Sequence, residues 1–436
     1  MTTRNHDETD TTKDLSGLDR FDLLDPEVQS APWDFYKALH EKCPVYRMPQ
    51  NGYYVIAGYN ELKSALMDPD RFSNQAMRHK MLQPSKLSNI FADMLKERGW
   101  EPYLTLQRAD PPEHRRYRKI IDRVLNPKNV RGLLPRIEEL SHQLVDGFAD
   151  RGECDWIGEY AFPLPGTIIA EQIGLDPSEI KTFKKWGDNI LSLFTKSKTE
   201  EQMRECAEIE IEMQHYMVKI FEDRKKNPRD DIISNLVNTQ EGEDELTLQE
   251  QLSVMNQLIG GGYETLISAL THQMWQLIRF PQVEAELRAD RSLIRNFINE
   301  SLRYESPTQG LFRITKEEVE LGGTTIPEGS VCLSRYGAAN RDPKVFQSPD
   351  EFNIHRDRVS QHLAFGTGIH FCPGAALARA EMTITWNVIL DRLEGFELAE
   401  PMPCPAHEPS LQLLPMKQLK LRFKKRDVPE QTPISL

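Results

Sequence analysis

The sequence predicts a mainly helical, single-domain protein with a small β part. Three observations carry this expectation. Apolar residues recur at helical spacing through much of the middle of the chain, over 130–148, 167–173, 201–224 and 247–278. Short β-type runs are few: 53–57, 319–321, 330–333 and 419–423. They come from near both ends of the 436-residue chain, so a sheet built from them closes one folding unit, although length alone would suggest two or three domains. The domain is expected over 17–426, with a disordered polar segment at 1–16 and a flexible tail at 427–436.

Apolar residues make up 39% of the chain and charged residues 28%, enough material for a large soluble core. A net charge of −13 disfavours nucleic acid as a partner, because no overall basic field collects phosphates. The six cysteines form no CxxC pair, which reads as a reduced, cytoplasmic protein without a disulfide framework. Residues 1–13 are polar and hold no apolar targeting segment, and no stretch is apolar enough to anchor the chain in a bilayer.

The chemistry concentrates in Phe365-Gly366-Thr367-Gly368-Ile369-His370-Phe371-Cys372-Pro373-Gly374, followed by a helical segment at 375–390. Glycines let backbone approach a flat group and let N–H groups turn toward the sulfur. A thiolate held this way suits the axial position of a haem iron. A buried structural cysteine in a glycine-rich turn is the competing reading of Cys372 alone.

Upstream, Thr247-Leu248-Gln249-Glu250 matches a capping box and opens a helix that Pro281 would stop near residue 280. Such a helix spans roughly 50 Å. Gly260-Gly261-Gly262 sits in its middle, where each glycine costs about 1 kcal/mol relative to Ala. Close approach to a cofactor with local widening would explain them; so would a helix crossing or a break. Glu300-Ser301-Leu302-Arg303 places opposite charges three apart on a helix. Pro111 and Pro112 precede a helix on which His114 and Arg118, four apart, share one face.

In this order, over roughly 20–425, these pieces resemble the cytochrome P450 monooxygenases. The resemblance implies a triangular, mainly helical P450 fold with haem b between the long central helix and the cysteine-loop helix. It makes Cys372 the metal ligand, with Phe365, Gly366, Gly374 and Gly261 against the cofactor. Thr265 and Glu264 match the alcohol–acid pair that delivers protons to dioxygen. Glu300, Arg303 and Arg356 match a structural network; His114, Arg118, Arg313 and His370 match the residues on the haem propionates. The stretch Ala339-Asn340-Arg341-Asp342-Pro343 with Phe346 resembles the family's loop before the cysteine. Gly261 stands where the family often has Ala, and Leu266 where a second Thr is common, which bears on substrate fit rather than on the reaction.

The implied activity inserts one oxygen atom of O2 into a hydrophobic small molecule: a terpenoid, steroid, aromatic or fatty acid. Electrons would come from NAD(P)H through a ferredoxin and its reductase, or a flavin reductase, and the protein would act as a monomer. Pocket residues are expected from 72–106, 191–194, Ile259, Gly260, 308–312 and 411–414, with Arg78, Lys80 or Gln309 available to a carboxylate. Arg115, Arg116 and Lys119 are expected to be solvated; with Arg123 and Arg379 they would form a basic patch that steers an acidic redox partner. Pro373 lacks an N–H, removing one possible donor to the Cys372 sulfur and lowering the expected reduction potential. A peroxide-using haem-thiolate enzyme, a haem sensor and a cofactor-free protein are the competing functions. NAD(P)H-driven turnover separates the first two from a monooxygenase, and a visible spectrum disposes of the third.

Overall fold

The computed structural model describes residues 17–76, 86–195, 198–229, 231–238 and 245–427. Segment 1–16 and the tail beyond 427 lie outside the described residues.

The capping box at Thr247 forms as expected. Thr247 N–H donates to Glu250 Oε2 at 2.8 Å, and Glu250 N–H to Thr247 Oγ1 at 3.3 Å. The helix it opens, Leu248–Gly262, does not continue to residue 280. It breaks at Tyr263 (φ −126°, ψ −44°) and a second helix runs Glu264–Arg279. The break has a packing cause. Tyr263 is fully buried, with Phe162 and Phe183 at ring-centroid distances of 5.9 and 5.4 Å. Its hydroxyl donates to Asp188 Oδ1 at 3.0 Å. The ring fits only because residue 187 is glycine: a Cβ there would lie 2.3 Å from it. Burial of one aromatic side chain is worth roughly 1.5–3 kcal/mol, which offsets interrupting a helix already weakened by three glycines.

The helix Ala375–Arg392, following the cysteine loop, is tied to this broken pair. Trp386 Nε1 donates to Gln273 Oε1 at 2.5 Å, and Trp156 Nε1 to Leu270 O at 3.2 Å. Trp156 stacks on Tyr160 at 4.6 Å and on Trp386 at 6.2 Å. These rings anchor the largest apolar core, which also takes in the helices Pro127–Asp146 and Pro163–Gln172.

The main sheet has five strands in the order Val45–Arg47, Tyr54–Ile56, Val331–Ser334, Leu311–Thr315, Phe72–Ser73. Tyr54–Ile56 pairs in parallel with Val331–Ser334, Val55 opposite Leu333, so residues far apart in sequence share one sheet. A second sheet orders Glu153–Asp155, Lys420–Lys425 and Leu393–Leu398, and Val319–Leu321 pairs with Thr324–Ile326. Each β-type run seen in the sequence overlaps a strand. The strands it missed include Val45–Arg47 and Phe72–Ser73, of three and two residues, too short to show a period. Among the described residues, no helix is long and apolar enough to cross a membrane.

Candidate active site

The cysteine loop is closed by Cys372 N–H donating to Phe365 O at 2.9 Å. Gly366 and Gly368 have φ of +68° and +71°, and a Cβ on Gly368 would sit 2.6 Å from the Leu66 carbonyl. Burial pushes the Cys372 thiol up. The Gly374 N–H, the charges of Arg118 and Arg379 and the Ala375 N–H pull the other way. A metal cation at the sulfur would reverse the balance, because it deprotonates a coordinating thiol outright. The Arg379 guanidinium lies over the Phe365 ring at 4.4 Å.

Beside this loop, four basic side chains come together. The rings of His114 and His370 are 4.2 Å apart. Arg118 donates through Nη1 to the Phe371 carbonyl and through Nε to Asp122 Oδ1 at 2.7 Å. Arg313 is buried and donates to Phe312 O at 2.8 Å. Burial, reinforced by the charges of Arg313, His114 and Arg118, pushes His370 down to about 3. Burial and Arg118 also hold His114 below its ordinary value. His370 Nε2 is buried without a hydrogen-bond partner. Two guanidiniums and two imidazoles around an unsatisfied donor site suit carboxylates. The chain therefore fits haem: the half-buried Cys372 for iron, and two guanidiniums with two neutral imidazoles for propionates.

On the central helix the three glycines differ. A Cβ on Gly260 would lie 2.8 Å from Ile190 Cγ2, and one on Gly262 3.2 Å from Ile169 Cγ1. A Cβ on Gly261 would meet nothing within 4 Å, so of the three only its side-chain position opens onto free space. Thr265, one turn on, donates through Oγ1 to the Gly261 carbonyl at 3.2 Å. Glu264, half-buried, opens the second helix.

Glu300 and Arg303 are completely buried and paired bidentately, at 2.7 and 2.9 Å. Arg356 Nε reaches both Glu300 oxygens at 3.1 Å, and Asn353 N–H donates to Glu300 Oε1 at 2.9 Å. Arg303 also donates to the carbonyls of Asn340, Pro349 and Glu351 at 3.0, 2.9 and 3.2 Å. Sequence reasoning missed Asn340 as a hub. Its Nδ2 donates to Ser306 Oγ at 2.8 Å and its Oδ1 accepts from Leu363 N–H at 2.6 Å, joining the helix carrying Arg303 to the cysteine loop. The motif around residue 340 was visible, but a single Asn gives no sign of its partners.

Three expectations are corrected. Arg116 is not a solvated cation: it pairs with Glu250 at 2.7 and 3.1 Å and donates to the Glu245 carbonyl at 2.8 Å. Tyr117 donates to the same Glu250 at 2.7 Å, so a carboxylate that caps the central helix also draws in the helix Glu113–Val124. Gln309 is fully buried; its Oε1 accepts from the Tyr36 hydroxyl and its Nε2 donates to Ser306 O at 2.6 Å, leaving its amide committed to the fold rather than to a substrate. The single central helix is two. Arg78 and Lys80 lie outside the described residues.

The sequence model of cytochrome P450 matches residues 26–423, and the chain belongs to this family, whose members are haem monooxygenases. It is 36% identical to cytochrome P450 107B1 of Saccharopolyspora erythraea over 349 residues, covering 79% of this chain and 83% of that protein. It is 31% identical to 6-deoxyerythronolide B hydroxylase of the same organism over 389 residues, 86% and 92% of the two chains. The solved structure of P450BioI in complex with hexadec-9Z-enoic acid ligated acyl carrier protein superposes with a TM-score of 0.81 at 28% identity, over 91% of this chain and 100% of that one.

Proposed function

We propose that the protein oxidises a hydrophobic small molecule, inserting one atom of O2 into a C–H bond and releasing the other as water. The observation that carries this reading is the half-buried Cys372 in its glycine-rich loop beside the His114–Arg118–Arg313–His370 cluster with its unsatisfied imidazole nitrogen. When bound, haem b supplies oxygen activation and insertion. Cys372 would hold the iron, with the Gly374 and Ala375 N–H groups stabilising its charge. The four basic side chains would hold the propionates, and Phe365, Gly366, Gly374 and Gly261 would border the ring. Thr265 passes protons into the site and Glu264 replenishes them, so hydroxyl and carboxyl control proton entry into a mostly apolar space. Glu300, Arg303 and Arg356 position the segment leading to the cysteine loop.

A relative named as the hydroxylase of 6-deoxyerythronolide B, and a P450BioI structure in complex with hexadec-9Z-enoic acid ligated acyl carrier protein, support a hydrophobic substrate; a terpenoid, steroid, aromatic or fatty acid is the class we propose. Electrons reach the site from NAD(P)H through a ferredoxin–reductase pair or a flavin reductase, and the protein acts as a cytoplasmic monomer. The test is turnover of a compound panel under 18O2 with NADPH, ferredoxin and reductase. One labelled oxygen per product is expected. Product formed only with added peroxide would overturn the reading.

A further inference from the structure

Away from the cysteine loop, three buried side chains from distant parts of the chain meet. They are His272 on the second central helix, Glu305 just beyond the helix carrying Glu300, and His407 in the C-terminal region. One ring nitrogen of each histidine and a carboxylate oxygen of Glu305 all lie within 4.8 Å of one another. All three residues are at least 95% buried. Nothing in the monooxygenase reading uses them.

We propose that His272, Glu305 and His407 form a binding site for a zinc-type divalent cation. The donor set, two imidazoles and a carboxylate, is one that zinc takes. Glu305 Oε2 and His407 Nε2 face each other at 3.9 Å, and both are buried without a hydrogen-bond partner. Buried polar atoms are seldom left unpaired, and two aimed at each other call for a shared partner. Zinc bonds of about 2.1 Å put neighbouring ligand atoms roughly 3.4 Å apart, a contraction that small side-chain rotations supply.

The surroundings orient both histidines as ligands. A metal-bound imidazole usually donates its other N–H to a carbonyl or carboxylate. His407 faces the Ser30 carbonyl in this way. His272 Nε2 lies 2.8 Å from Leu414 O and its Nδ1 3.0 Å from Glu305 O. Both partners only accept, whereas a neutral imidazole donates once. With the proton on Nε2, Nδ1 keeps a lone pair that finds no donor in the Glu305 carbonyl and is available to a metal beside it. The remaining carboxylate oxygen, Glu305 Oε1, is taken by Arg279 Nη1 at 3.2 Å. Bound metal would fasten the second central helix and the segment at Glu305 to the C-terminal loop, which already bridges Thr308 through Leu413.

The experiment incubates haem-loaded protein with Zn2+, removes free metal by desalting, and measures zinc, iron and the thermal midpoint. About one retained zinc per haem and a raised midpoint are expected. Both gains are lost in His407→Ala and kept in His355→Ala, which removes the exposed His355–Glu286 pair as a chance surface site. No retained zinc, or zinc retained by His407→Ala, overturns the proposal. Should His407→Ala fail to fold, anomalous scattering at the zinc edge from wild-type crystals decides: a peak between the three residues supports the site, and its absence refutes it.

Discussion

The cysteine-loop side and the central-helix side of this molecule hold their functional residues in opposite ways. Around the loop, polar groups are locked. Glu300 has three partners within 3.1 Å, and Arg303 donates to three backbone carbonyls besides. On the central helix the chain is interrupted at Tyr263, Gly261 borders open space, and Thr265 is held by one 3.2 Å bond within its own chain segment. A metal ligand gains from rigid preorganisation. A proton-relay hydroxyl must be able to turn, and a pocket must admit its substrate.

Breaking the locked side should have the largest effect. Glu300→Ala leaves two guanidiniums without their carboxylate, Arg303 being wholly buried, and should cost about 3–5 kcal/mol. The purified variant is expected to lack haem; full incorporation measured by the pyridine haemochrome would show that the network does not shape the loop.

Gly187→Ala tests the break. Its Cβ falls 2.3 Å from the Tyr263 ring, an overlap that should destabilise by about 1–3 kcal/mol in urea titration. An unchanged midpoint would mean that Tyr263 repacks freely and that its burial does not cause the interruption.

The locked side should also be acid-sensitive. His362 is buried, its Nε2 3.0 Å from Asn299 Oδ1 and its Nδ1 accepting from Ala364 N–H; burial, Arg379 and Arg303 push it from 6.5 down to about 3. Between those values the unfolded chain binds a proton that the folded chain refuses. Stability therefore falls as pH drops below about 6.5, by at most about 1.4 kcal/mol per pH unit for this group. His362→Gln should flatten that slope.

Thr265→Ala should barely move stability, within about 0.5 kcal/mol, because it removes one local hydroxyl bond. It should instead divert reducing equivalents from product to peroxide, with Thr265→Ser restoring coupling. Equal coupling in all three proteins would remove Thr265 from the proton path. Pro373→Leu, restoring a backbone N–H beside the sulfur, should raise the reduction potential; no rise would remove the hydrogen-bond argument.

The same contrast explains what could be read from the sequence. The Thr247 capping box, the Glu300–Arg303 spacing and the glycine-flanked Cys372 are local patterns whose geometry follows from a few neighbouring residues. The five-stranded sheet is not local: its parallel pairing joins Val55 to Leu333, and strands of two or three residues carry no period. The Tyr263 break was one of several readings of three glycines, because its cause lies at Gly187 and Asp188, about 75 positions away. Arg116 looked like a surface cation for a similar reason, since its partner Glu250 sits 134 residues on. Asn340 and Gln309 read as loop and pocket residues until their buried partners were visible.

Everything proposed for this site depends on Cys372 holding the iron. The most direct test is the optical spectrum of dithionite-reduced protein under carbon monoxide, with wild type and Cys372→His compared. Wild type should give a Soret band far to the red of histidine-ligated haem, returning to the ordinary position in the variant. A wild-type band at the ordinary position under conditions that keep the thiolate intact, or a red-shifted band that survives Cys372→His, would contradict iron ligation by Cys372.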